Sequence, residues 1–92
     1  MTLEKRPVTL ITGASAGIGV ALARVFAREG HQLALVARRE DRLRALADEI
    51  AAKGPRRPIV VVDDLAVPGS AERLRRALAE HGAEPQYVVN NA

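Results

Sequence analysis

Cysteine and tryptophan are absent, and Phe26 and Tyr87 are the only aromatic residues. Without cysteine neither a disulfide framework nor a thiolate metal site can form. His31 and His81 lie fifty residues apart with no third ligand near either in sequence, so no metal site is expected. Two aromatic rings leave almost no platform for base stacking, which weighs against nucleic acid. No apolar run approaches the roughly 18 residues of a membrane span, so no membrane association is expected. Glu4 and Pro7 interrupt any signal-peptide pattern in the first residues, and a cytoplasmic location is expected.

What the chain does contain is arginine: twelve of its 92 residues, giving a formal charge of +3. A basic balance can serve polyanion binding, but the plainer reading is compositional bias, with arginines on solvated helix faces. The length allows one small domain over residues 1–92. Short apolar runs alternate with longer stretches of helical periodicity, which is the pattern of a parallel sheet with crossover helices.

Val8-Thr9-Leu10-Ile11 forms a first strand ending at Thr12-Gly13, after which Ile18, Leu22, Val25 and Phe26 recur at helical spacing up to Gly30. Leu33-Ala34-Leu35-Val36-Ala37 is apolar throughout, as a strand covered on both faces should be. Leu43, Leu46, Ala47 and Ile50 mark a second helix closed by Gly54-Pro55, and Ile59-Val60-Val61-Val62 a third strand. A third helix runs from about Ser70 to Glu80 with Leu74, Ala77 and Leu78 inward, and Tyr87-Val88-Val89 makes a fourth strand. Right-handed crossovers arrange this βαβαβαβ chain as the α/β, Rossmann-type doubly wound sheet with strand order 3-2-1-4. In such sheets ligands bind beyond the carboxyl ends of the strands.

The unusual residues stand at those ends. Gly13, Gly17 and Gly19 are spaced G-x-x-x-G-x-G between the first strand and the first helix. Such a turn lets backbone approach a pyrophosphate, and the helix start supplies N–H groups and a positive dipole end. Gly19 allows close packing of helix on sheet, and Ser15 adds a hydroxyl donor. This spacing arises by chance in roughly 3% of chains of this length, so its placement at a strand–helix junction carries the argument. At the end of the second strand Ala37 stands where an acid would hold a ribose 2′-hydroxyl, and Arg38 and Arg39 follow, suited to a 2′-phosphate. That favours NADP(H) over NAD(H), by roughly ten- to hundred-fold for one charge-assisted contact. Asp64 with Leu65 at the third strand's end suits an adenine, and Asn90 at the fourth a nicotinamide ribose; both are also ordinary turn formers.

Together, Thr12-Gly13-x-x-x-Gly17-Ile18-Gly19, Arg38, Asp64-Leu65 and Asn90-Asn91-Ala92 resemble the short-chain dehydrogenase/reductase family, in its single-domain branch. The resemblance spans the chain. It implies that Gly13, Ser15, Gly17, Ile18 and Gly19 form the pyrophosphate loop, with Ala14 and Ala16 as its backbone. It implies that Arg38 selects NADP(H) beside Arg39, that Asp64 and Leu65 contact the adenine with Asp63 a bystander, that Asn90 stabilises the sheet, and that Ala92 lies beside the nicotinamide ribose. Many NADP-selective members carry a basic residue where Ala16 stands, so preference here rests on Arg38 and Arg39.

The family's serine and Tyr-x-x-x-Lys follow the fourth strand. Tyr87 lies within that strand with no lysine after it, so no catalytic residue is expected among these 92. The implied whole is an oxidoreductase moving hydride between nicotinamide and a small-molecule carbonyl or alcohol, homo-oligomeric at full length. This chain is then its cofactor-binding N-terminal part, with an unprotected fourth strand that favours self-association. Two other readings compete: a non-catalytic NADP-binding module, and a basic nucleic-acid binder.

Overall fold

Apolar runs that alternate with amphipathic stretches must bury a sheet between helices, and the computed structural model, which describes residues 6–54 and 56–90, does so. The elements are β1 (Arg6–Thr12), α1 (Gly17–Arg28), β2 (Leu33–Ala37), α2 (Glu40–Lys53), β3 (Ile59–Val62), α3 (Ser70–Glu80) and β4 (Ala83–Val89). All strand pairs are parallel, in the order β3-β2-β1-β4. This is the doubly wound arrangement expected from the alternation, and β2, β3 and α3 have the bounds read from their residues.

Helices α1 and α2 cover one face of the sheet, and α3 covers the other. On the first face Ile11, Leu33 and Leu35 meet Ala23 of α1 and Leu43, Leu46 and Ile50 of α2. On the second, Val8, Leu10, Ala34 and Val36 meet Leu74 and Leu78 of α3. Successive β2 residues thus enter opposite layers, as the pleat requires. Arg24 forks onto Glu49 at 2.7 and 2.9 Å and ties α1 to α2 at the surface. No helix of the described residues is long and apolar enough to cross a membrane.

Two elements depart from expectation. The stripe of α1 that enters the core is Gly19 and Ala23, one helical turn apart, flanked by Val20, Phe26 and Ala27. Ile18 is 69% exposed and Val25 42%, on a second apolar stripe that no described residue covers. Small residues win the inner position because they let the helix axis come close to the sheet. Strand β4 begins at Ala83, four residues before the β-branched run that marks it in sequence. Its register against β1 passes from Val8↔Pro85 to Thr9↔Tyr87, leaving Gln86 as the extra residue of a bulge. Among the described residues β4 lies at the edge of the sheet, where a proline's missing N–H can face away from β1.

Candidate functional site

The carboxyl ends of all four strands open into one cleft of about 370 Å³, lined by residues of the loops that follow them. Its floor begins where β1 ends. Gly13 takes φ 65° and Gly17 φ 59°, both in the left-handed region that a side chain makes costly. Between them Ala14 is buried, and its N–H donates to the Val36 carbonyl at 3.2 Å, fixing the turn to the end of β2. A Cβ at Gly17 would meet no protein atom within 4 Å, so backbone conformation, not crowding by the protein, calls for glycine there.

Helix α1 then starts with Ala16 as N-cap, which offers no side-chain hydrogen bond, and its first turn contains no acid. Its leading N–H groups therefore keep the partial positive charge of a helix start, about half an elementary charge. The Ser15 hydroxyl, also lining the cleft, makes no hydrogen bond among the described residues. The donor set at this corner suits an anion.

Arg38 lines the same cleft, just past Ala37, is exposed, and has no ion pair among the described residues. Among the described residues that line the cleft Arg38 is the one cationic side chain, and its charge is uncommitted. Arg39 is the N-cap residue of α2 and stands outside the lining, because adjacent residues leaving a strand diverge. Ala16, Gly17, Ile18 and Gly19 lie beyond the lining at the start of α1, with Gly19 buried as close helix packing requires.

Opposite Arg38, the loop after β3 is tightly bonded. Asp64 Oδ1 accepts from the Ala66 N–H at 2.9 Å, and the Asp64 carbonyl from Val67 at 3.0 Å. Leu65 is exposed on this loop and borders the cleft. Asp63, expected to be a bystander, has the more demanding role. It accepts a fork from Arg73 at 2.8 and 3.2 Å while Arg73 also reaches the Pro68 carbonyl at 2.9 Å, and its own N–H donates to Ala37. The Arg73 guanidinium hydrogen-bonded to Asp63 holds its carboxyl below the usual carboxylate range. The loop carrying Asp64 and Leu65 is therefore pinned to α3 and to the end of β2.

At the fourth strand Asn90 accepts through Oδ1 from the Thr12 hydroxyl at 3.0 Å, and that hydroxyl lies 3.4 Å from the Val89 carbonyl. This ties the ends of β1 and β4 together. Ala92 lies outside the described residues. Of the expected residues, the cleft thus gathers Gly13, Ser15, Arg38, Asp64, Leu65 and Asn90. It adds Thr12 and Asp63. Thr12 was legible as the residue before the first glycine; the Asp63–Arg73 fork spans ten residues and leaves no local pattern.

Comparison with known proteins bears on the family and the fold. The family described as short chain dehydrogenase matches residues 7–92. The chain belongs to the short-chain dehydrogenase family. Among curated relatives, 11-beta-hydroxysteroid dehydrogenase-like 4A of Arabidopsis thaliana is 41% identical over 85 residues, covering 92% of this chain and 28% of the relative. The A-factor type gamma-butyrolactone 1'-reductase (1S-forming) of Streptomyces virginiae is 54% identical over 56 residues, 61% of this chain and 22% of the relative. Among solved structures, L-sorbose reductase from Gluconobacter frateurii, complexed with NADPH and L-sorbose, superposes with a TM-score of 0.86 at 35% identity. That match covers 100% of this chain and 35% of the reductase. The chain therefore spans about a quarter to a third of the length of these family members.

Proposed function

We propose that the chain is the cofactor-binding part of a cytoplasmic, NADP(H)-dependent oxidoreductase of the carbonyl reductase or alcohol dehydrogenase type. The observation that carries this reading is Arg38: an unpaired guanidinium in the strand-end cleft, following Ala37 where an NAD-preferring site has an acid. The donor set fits the group. Uncapped N–H groups of α1 and the Ser15 hydroxyl suit a pyrophosphate, Arg38 a 2′-phosphate, and Asp64 with Leu65 an adenine. Gly13 and Gly17 keep backbone, without side chains, at the approach to the phosphates. The cofactor, when bound, supplies the hydride; these residues bind and orient it. A small carbonyl or alcohol substrate and a homo-oligomeric assembly belong to the same proposal for the whole protein.

Titration of the chain with NADPH and NADH, followed by nucleotide fluorescence, tests the assignment. The expected preference for NADPH is about ten-fold or more, and Arg38→Ala should bring the two affinities together. Arg39→Ala should change the ratio less, since Arg39 stands outside the cleft. A preference that survives Arg38→Ala would refute the role of Arg38. Failure of both nucleotides to bind would refute the site.

A further inference from the structure

A second cleft lies at the other end of the sheet. It is bordered by the last turns of α1 and α2 and by the residues leading into β2 and β3, and holds about 210 Å³. The five residues of β2, roughly 16 Å at about 3.3 Å per residue, separate it from the strand-end cleft. None of the residues assigned to the cofactor lines it.

Its floor is apolar. Leu33 and Ile50 are buried, and Ala27 and Pro58 complete the wall. An apolar cavity of about 150 Å³ accepts a benzene molecule, so this volume suits one ring bearing a small polar group. The rim is cationic. Arg24, Arg28, Lys53 and Arg56 face a single carboxylate, Glu49, which Arg24 already satisfies with its fork. Arg28, Lys53 and Arg56 make no ion pair among the described residues.

Two helices end at this cleft, and their carboxyl termini oppose an anion. Each contributes about half a negative charge, so together they cancel about one of the surplus positive charges and leave about two. Arg28 and Lys53 stand in the last turns of α1 and α2, where a cation faces each helix end. Helix-end compensation accounts for their positions. It does not explain Arg56, which lies in the loop after α2, nor the apolar floor beneath it. His31 adds a fixed ring: Nδ1 lies 2.7 Å from the Thr9 hydroxyl, and Phe26 stands edge-on at 5.1 Å. Its Nε2 makes no hydrogen bond among the described residues.

We propose that this cleft between α1 and α2 is a second ligand site, for a small aromatic carboxylate. The ring rests on Leu33, Ile50 and Pro58, and the carboxylate meets Arg56 with Lys53 or Arg28. The site is independent of the cofactor assignment.

Titration of the isotopically labelled 92-residue chain with benzoate, and separately with its uncharged isostere benzamide, tests the site by amide chemical shifts. Saturable shifts are expected at Leu33, Ile50, Lys53 and Arg56, with Gly13 and Arg38 unmoved. Benzoate should bind about ten-fold more tightly than benzamide, the size of one charge-assisted contact. Arg56→Gln, at an exposed loop position, should bring benzoate down to the benzamide level without changing benzamide binding. Lys53→Gln should act in the same direction. Equal affinity for the two compounds, absence of saturable shifts, shifts centred on the strand-end cleft, or an unchanged benzoate affinity in both variants would each overturn the proposal.

Discussion

β2 and β4 are both hydrogen-bonded in parallel to β1, yet they live in different surroundings. All five residues of β2 are buried, with Leu33, Leu35 and Ala37 under α1 and α2 and Ala34 and Val36 under α3. Of the seven residues of β4 only Ala83 is buried and Val89 half-buried; Tyr87 is 53% exposed and Val88 61%. Both strands carry β-formers in sequence. The contrast teaches that a strand's apolar character specifies that it pairs, while the number of helices laid over it decides how much each side chain contributes. Between these extremes stands β3, whose end is secured less by apolar cover than by the Asp63–Arg73 fork.

The sharpest way to break this contrast is to remove side-chain volume from β2. Leu35→Ala leaves a cavity at a fully buried position in the α1/α2 layer and should cost about 2–5 kcal/mol of unfolding free energy. Urea unfolding followed by circular dichroism measures it. For so small a chain a loss of that size is a large fraction of total stability, so the urea midpoint of the variant should fall steeply. A loss below about 0.5 kcal/mol, the range of neutral surface changes, would mean that β2 is no more central than β4.

A smaller effect is expected at the end of β3, and it should depend on pH. The carboxyl of Asp63, hydrogen-bonded to Arg73, has a folded-state pKa below its ordinary 3.8. Its contribution to stability is therefore present above pH 3.8 and is lost as pH falls through the lower, folded value. Glu49, hydrogen-bonded to Arg24, shifts in the same direction from its ordinary 4.5, so its contribution is present above pH 4.5 and fades at lower pH. The comparison with Asp63→Asn isolates the Asp63 part. At neutral pH the variant should be less stable than the native chain, and the gap should close as pH falls below 3.8. A gap that stayed constant from pH 7 to pH 2 would show that the ionic form of Asp63 contributes nothing.

Much of this arrangement was legible in residues because few physical constraints decide it. The Leu43, Leu46, Ala47 and Ile50 stripe is buried as its spacing requires, and strand order follows from right-handed crossovers. The glycine turn was legible because Gly13 and Gly17 occupy conformations that other residues resist. What was not legible depends on tertiary neighbours. Nothing local distinguishes Ile18, exposed, from Ala23, buried; the sheet selects the smaller stripe of α1. Glu84-Pro85-Gln86 has no strand signal, and joins β4 only because β1 offers a partner and the edge tolerates a bulge. Arg38 and Arg39 are equivalent as a pair of letters, and only the turn into α2 sends one to the cleft and the other to the helix cap. Asp63 required knowledge of where Arg73 would land.

The least costly test is on β4 itself, where the contrast predicts almost no change in stability but a change in association. Tyr87 is a poor probe, because its ring lies 6.0 Å from that of His31 and its loss would disturb that contact. Val88 is exposed and belongs to neither apolar cluster. Val88→Lys should therefore alter unfolding free energy by no more than about 0.5 kcal/mol. An exposed apolar edge with unpaired backbone groups recruits further strands, and a lysine on such an edge opposes this. Sedimentation velocity over a concentration series of the 92-residue chain should show self-association in the native sequence, reduced in Val88→Lys. A large loss of stability would reveal cover over Val88 that the described residues do not supply. Unchanged association would move the sticky surface elsewhere, with the Ile18 and Val25 stripe of α1 the next place to substitute, since Ile18 is the most exposed of the large apolar side chains among the described residues.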